Sequence, residues 1–542
     1  MSAAVPDALG RAARGTLLSS FAGDHVPAWV LRQAAAGLGG VCLYGANRGA
    51  DVAAVAAAVH DARPDLVVAL DEEGGDVTRL EATAGSSVPG NAALGAVDDL
   101  DLTWSVAAAL GGVLRTAGVD LDLAPCADVN SDPANPVIGV RSFGADPGAV
   151  ARHTAAFVAG LQSAGVAACA KHFPGHGAVA VDSHVSLPTV AAPAAVLRAR
   201  ELVPFRAAIR AGVVTVMPGH LRVPALDGVP ATVSRPIVTD LLRGELGFDG
   251  LVVTDALDMG GIGGPDAIPA TVVRALAAGA DLCCLGPDND EAVVEACVEA
   301  VAAAVAAGEL AAGRVTEAAA RVAALRSPLG DRAADRAANR AAGRGVERAA
   351  DRVAGAPDLA HASPHEPAAV AALAAVGAEA AERALRLDGT LPGRIQGAHV
   401  VELDRPANVA AGSVPWGVAG TLAALDPTIT TARIAEGDDA AVAAALGAAR
   451  GRPLVVVVRD PQRRPAQMAA LRALLAARPE AVAVDMGWPV APEHRPAAAA
   501  WITSHGASRA SGEAVARLLA GVPAGPAPPS PAPATRGGTA RG

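Results

Sequence analysis

Aromatic side chains are nearly missing: Tyr 1, Phe 6 and Trp 5 make up 2% of 542 residues. A core built of large rings is thereby excluded. Since 52% of the chain is hydrophobic and alanine supplies much of that, packing must rely on small residues and close backbone approach. Lysine is scarcer still. Of 44 basic side chains only Lys171 is lysine, and every other is arginine. The formal net charge is −11, and no stretch forms the basic stripe that a phosphate backbone demands, which argues against nucleic acid as a partner. Six cysteines (Cys42, Cys126, Cys169, Cys283, Cys284, Cys297) lie in apolar contexts without a CxxC pair. They read as reduced, buried thiols of a cytoplasmic protein, not as a zinc site or a disulfide framework. No apolar run reaches the ~20 residues of a membrane span, so no membrane partner is expected. The N-terminal MSAAVPDALGRAARG places Pro, Asp and Arg where a secretory signal would need an unbroken apolar core.

What is present is a βα repeat. Short β-rich runs alternate with Ala-rich helical stretches: GGVCLYGAN (39–47), DLVVALDEEGG (65–75), VDLDLAPCADV (119–129), VAACAKHFPGHG (166–177), VVTVMPGH (213–220), GLVVTDALDM (250–259) and ADLCCLG (280–286). This density predicts an α/β chain whose first part, 1–326, closes as a (β/α)8 TIM-type barrel, with the eighth strand not placed by the pattern. Residues 327–365, rich in Arg, Asp and Ala, read as a low-complexity linker. A smaller α/β layer domain is expected over 366–523, with strands at 398–404, 431–437, 453–460 and 480–489, and a disordered Pro/Gly-rich tail over 524–542.

Nearly every run in the first part starts apolar and ends in ionisable residues: Asp71 and Glu72, Asp128, Lys171 and His172, His220, Asp255. Parallel strands put their C-terminal ends on one face, so these groups should converge there. The segment KHFPGHGAVAVDSH adds His176, Asp182 and His184 in a loop whose Gly175 and Gly177 permit a tight turn. Asp182 and His184 lie two apart, and a bend at Ser183 would let the carboxylate orient the imidazole and raise its pKa, as a general acid/base needs. Asp255 follows Val252, Val253 and Thr254 where a strand opens into the site, suited to a nucleophile or an electrostatic partner; Asp258 is expected to cap or face the next helix. Rival assignments stay open at this point. His172 and His176 at i, i+4 could ligate a metal, although Pro174 and Gly175 oppose the helix that would align them, and a solitary loop histidine is usually solvated or packed.

KHFPGHG followed by DSH, together with DEEGGDVTRL, LAPCADV, NPVIGVRSFG, VMPGH and TDALDM, resembles glycoside hydrolase family 3, specifically its bacterial β-N-acetylglucosaminidase branch of the Asp/His dyad type. The likeness runs from about residue 10 to 326, and residues 380–520 resemble more loosely the C-terminal α/β domain of some members. It implies Asp255 as nucleophile and His184, oriented by Asp182, as acid/base. It further implies that Asp71, Arg79, Arg141, Lys171 and His172 hold sugar hydroxyls. Glu72 stands where the family often has Gln, and Asp76 where it often has Arg.

The implied activity is a retaining exo-glycosidase that removes terminal β-N-acetylglucosamine from cell-wall or chitin fragments, with no cofactor and no metal. A neutral imidazole does not repel an anionic acceptor, so inorganic phosphate in place of water, giving a β-glycoside phosphorylase, is the alternative. A metal-dependent hydrolase using His172, His176, His184 and His220, or an inactive sugar-binding protein, are the readings from other classes. A small carbohydrate is the expected partner, and oligomeric state is not encoded in any motif.

Overall fold

The computed structural model describes residues 7–47, 50–179, 187–287, 289–326, 367–404 and 412–522. The linker 327–365 and the tail 524–542 lie outside the described residues, as does the loop carrying Asp182 and His184.

In the first part eight parallel strands run in the order β10-β1-β2-β3-β4-β5-β6-β9. They are β1 (Leu17–Ser19), β2 (Gly40–Leu43), β3 (Val67–Leu70), β4 (Leu121–Asp122), β5 (Ala167–Phe173), β6 (Thr215–Pro218), β9 (Leu251–Val252) and β10 (Cys283–Cys284). A short antiparallel hairpin, β7 (Arg222–Val223) and β8 (Asp227–Pro230), follows β6. A parallel bridge between Val253 and Leu282 joins the two ends of the order and closes the barrel. The strand that the pattern left unplaced is β1, at the start of the chain.

Helices between strands begin where an aspartate can cap them: Asp51, Asp99, Asp146 and Asp290 each accept backbone N–H groups of the following turn. The interior of the barrel is filled by modest side chains, among them Leu18, Cys42, Ala69, Cys169, Met217 and Cys284. All six cysteines are buried and unpaired. Close backbone approach replaces aromatic bulk. A Cβ on Gly160 would come 2.3 Å from the Trp104 carbonyl oxygen, so the helices Leu100–Thr116 and Pro147–Ser163 meet backbone to backbone there.

The second part is a six-stranded sheet of order β11-β16-β15-β14-β12-β13. Its members are β11 (Arg386–Gly389), β12 (His399–Leu403), β13 (Thr430–Ile434), β14 (Leu454–Val458), β15 (Val482–Asp485) and β16 (Ala500–Thr503). All pairs are parallel except β11 with β16. The pattern anticipated four of these strands and missed β11 and β16. Side chains of β14 alternate between two buried clusters, Val455 and Val457 on one face and Val456 and Val458 on the other, as a sheet covered by helices on both faces requires. The helix Pro367–Ala384 spans the junction: Leu373 and Ala380 join the barrel's core, whereas Ala381 packs on Ala510 and Ala514. No helix among the described residues is long and apolar enough to cross a membrane.

Candidate active site

The polar strand ends do meet on one face. Asp71 follows β3, Asp128 follows β4, Lys171 and His172 end β5, His220 follows β6 and Asp255 follows β9, five consecutive positions around the barrel. The pairing of β5 with β6 shifts register between Lys171 and Phe173, an irregularity that re-aims side chains at a strand end.

Lys171 is 2% exposed, and its Nζ donates to Asp71 Oδ1 at 2.6 Å and to Glu73 Oε1 at 2.8 Å. Glu73 is also held by Arg141, whose Nη2 and Nε donate to its two oxygens at 2.7 and 2.9 Å. Arg79 Nη2 lies 3.7 Å from Asp71 Oδ2. Burial alone would favour the neutral carboxyl of Glu73, but the Arg141 and Lys171 cations outweigh it and hold that carboxyl far below the usual carboxylate range. The same carboxylates overcome the burial of Lys171 and raise its pKa. The cluster is therefore charged in its resting state. An ammonium has three N–H donors, so with two committed to carboxylates one remains for a ligand hydroxyl.

Beside it, His172 Nδ1 lies 2.7 Å from Asp128 Oδ2. Asp128 is fully buried, yet the adjacent His172, with His176, overcomes desolvation and brings its pKa down to about 2. An ionised Asp128 accepts from the ring, so Nδ1 carries the proton and Nε2 is the nitrogen left for a ligand. The backbone N–H of His176 and the thiol of Cys126 also donate to Asp128, at 2.7 and 3.2 Å. Cys126, Asp128 and His172 thus gather donor atoms close enough for a metal ion. Burial, and then the charge of Asp128, push the Cys126 thiol well above its ordinary pKa, so Cys126 stands as a thiol that donates to the Asp128 carboxylate. His220 is engaged at both nitrogens, with Thr232 Oγ1 at 2.7 Å and the Ala256 carbonyl at 2.8 Å, which removes it from the four-histidine metal set. His176 is buried, and desolvation followed by the neighbouring His172 lowers its pKa to about 4, consistent with a packed neutral ring.

Asp255 is half-buried, and its Oδ1 accepts the Ala256 N–H at 2.8 Å. The turn that carries it is stitched on both sides. Thr254 N–H donates to Leu282 O and Leu257 N–H to Cys284 O, both at 2.9 Å, while His220 grips Ala256 from the β6 side. Asp258 does not cap a helix; it lies against Gly286, where a Cβ would come 2.0 Å from its Oδ1.

Sequence reasoning did not single out Glu73, and it placed Asp128 only among the converging strand ends. Glu73 carried a usable signal, since an acid directly before Gly74 and Gly75 sits where the backbone turns toward a ligand. Asp128 was legible as a polar strand end, but its task of orienting His172 depends on a partner 44 residues away. Asp182 and His184 lie outside the described residues, so Asp71, Arg79, Arg141 and Lys171 form one cluster, with His172 and Asp255 on the same rim of strand ends.

Residues 32–325 match the family described as glycosyl hydrolase family 3 N terminal domain. A beta-hexosaminidase A of Pseudoalteromonas piscicida is 42% identical over 214 residues, 36% of this chain and 36% of that protein, so the chain spans about a third of that relative's length. A beta-hexosaminidase of Stenotrophomonas maltophilia (strain K279a) is 38% identical over 294 residues, 51% of this chain and 85% of that one. Among solved structures, a glycoside hydrolase family 3 beta-N-acetylglucosaminidase from Paenibacillus sp. str. FPU-7 superposes with a TM-score of 0.79 at 29% identity, covering 95% of this chain and 96% of that one.

Proposed function

Given that the chain belongs to glycoside hydrolase family 3, we propose that it removes terminal β-N-acetylglucosamine from small glycosides, cell-wall or chitin fragments, by a retaining double displacement. The observation that carries this reading is the Lys171 ammonium fixed between Asp71 and Glu73 at the barrel mouth, with one donor to spare. A pyranose seated there offers its ring hydroxyls to Asp71, Lys171, Arg79 and His172 Nε2, while Arg141 keeps Glu73 ionised and in place. Asp255 attacks the anomeric carbon; the bond to the aglycone breaks and a glycosyl ester forms. His184, oriented by Asp182, gives its proton to the departing oxygen and then takes one from the water that hydrolyses the ester. The stitching of the Asp255 turn supports the nucleophile assignment, because attack requires a carboxylate held within a fraction of an ångström. Six unpaired thiols fit a reducing compartment, and on this reading the protein works in the cytoplasm.

Hydrolysis of an aryl β-N-acetylglucosaminide, followed by NMR of the first-formed anomer with and without inorganic phosphate, tests the proposal. Release of β-N-acetylglucosamine in both conditions supports it. A sugar 1-phosphate as main product would transfer the reading to phosphorolysis, and no cleavage of any β-N-acetylglucosaminide would end it.

A further inference from the structure

The loop 71–90, between β3 and the helix Asn91–Val97, has two working faces. Its inner face presents Asp71 and Glu73 to Lys171. Between them Glu72 staples the loop to itself, accepting the Arg79 and Leu80 N–H groups at 2.7 and 2.9 Å. Its outer face belongs to the second domain. Asp76 pairs with Arg459, which follows β14, and accepts the Ala507 N–H at 3.2 Å from the loop after β16. Arg509 donates to Glu81 at 2.9 Å and to the Gly85 carbonyl at 3.2 Å, and Ala510 N–H reaches the Ser86 carbonyl at 3.2 Å.

The two loops that grip Asp76 are strained. Of three non-glycine residues with positive φ among the described residues, Asp460 (φ 53°) follows Arg459 directly and His505 (φ 57°) lies two before Ala507. Such backbone persists only where its surroundings over-determine it: Asp460 accepts the Trp488 N–H at 2.8 Å and His505 Nδ1 lies 3.1 Å from the Ala384 carbonyl, which fixes each beside a residue that reaches the barrel loop. Side chains of Asp76 and Arg459 are 7% and 9% exposed, so salt scarcely screens the pair. Glu73, Asp76, Asn91 and Arg141 line one small pocket, so the residue that meets the second domain borders the same space as the Glu73–Arg141 pair of the sugar cluster.

We propose that Asp76 is a positioning residue: through Arg459 the second domain holds the loop 71–90 in the shape that keeps Asp71 and Glu73 on Lys171. This rests on the function proposed above, since it assigns the inner face to the sugar. The contact sets catalytic competence as well as cohesion between domains.

The test is a charge exchange. Asp76→Arg and Arg459→Glu are made singly and together, with Asp76→Asn as a milder variant of similar size in case a reversal prevents folding. Each reversal is expected to lower kcat/KM on an aryl β-N-acetylglucosaminide about 10-fold or more, mostly through KM, and the double exchange to restore it to within about 3-fold. Amide hydrogen exchange at Arg79 and Leu80 is read in the same proteins and needs no substrate: protection falls in the singles and returns in the pair. Unchanged protection, or lost protection with wild-type kinetics, overturns the proposal. A wild type that cleaves no β-N-acetylglucosaminide fails the proposed function instead, and the exchange data then decide the clamp by themselves.

Discussion

Replacing Lys171 by arginine retains the charge and adds volume where none is free. Lys171 Nζ and Arg141 Nη2 already contact the same oxygen, Glu73 Oε1, at 2.8 and 2.7 Å. A planar guanidinium is broader than an ammonium and cannot reach Asp71 and Glu73 from the same point without displacing Arg141 or the loop. A shift near 1 Å in a sugar-holding group costs on the order of 10²-fold in rate, which corresponds to about 2.7 kcal/mol of transition-state stabilisation. Overpacking a site this buried should also lower stability by about 1–3 kcal/mol. The assay is kcat/KM on an aryl β-N-acetylglucosaminide beside thermal unfolding of the same preparation. Activity should fall far more than the loss of folded protein at the assay temperature explains. Wild-type kinetics in Lys171→Arg would show that the lone lysine is an accident of composition, and would remove the cluster from sugar binding.

Asp255→Asn should abolish turnover while melting as the wild type does, because the residue sits half-buried at the barrel mouth; measurable turnover would displace it as nucleophile. Burial raises the Glu72 carboxyl from 4.5 to about 7, so folding favours its neutral form. That contribution is complete below about pH 4.5 and is lost as pH rises through 7, a penalty of about 3 kcal/mol at pH 8. Glu72→Gln keeps an acceptor for the Arg79 and Leu80 amides without the charge, so its melting temperature should exceed the wild type's at pH 8 and match it at pH 5; a constant difference would reject the assignment. Asp128→Asn faces the donors of His172 and His176 with an amide in place of a charged acceptor, and should lower kcat/KM about 10- to 100-fold. His184→Ala should slow glycosides with poor leaving groups far more than activated aryl ones, and a uniform loss across leaving groups would contradict its acid role.

The barrel was legible because its strand ends break an apolar pattern with ionisable residues, a regularity that survives in a sequence dominated by alanine. β1 was not, since Leu17–Ser19 offers only three residues with no charged terminus. β11 is exposed along its whole length, so it lacks the apolar run that marks a buried strand. In the site, Lys171 was visible by its singularity and Asp255 by its place at a strand end. Asp76 was visible as a departure from a family pattern, but its partner Arg459 lies 383 residues away, and no local signal joins the two. What sequence pattern conveys is the residue types that chemistry needs; what it withholds is pairing between elements that only the fold brings together.

On the proposed mechanism Asp255 forms a covalent bond to the sugar. An activated 5-fluoro-β-N-acetylglucosaminyl donor slows both displacement steps by opposing positive charge on the ring, while its leaving group keeps formation faster than breakdown. After incubation, protein mass should rise by one glycosyl unit, and proteolysis should place that mass on Asp255. An active enzyme that gains no mass, or carries the adduct on any other residue, would rule out Asp255 as the nucleophile.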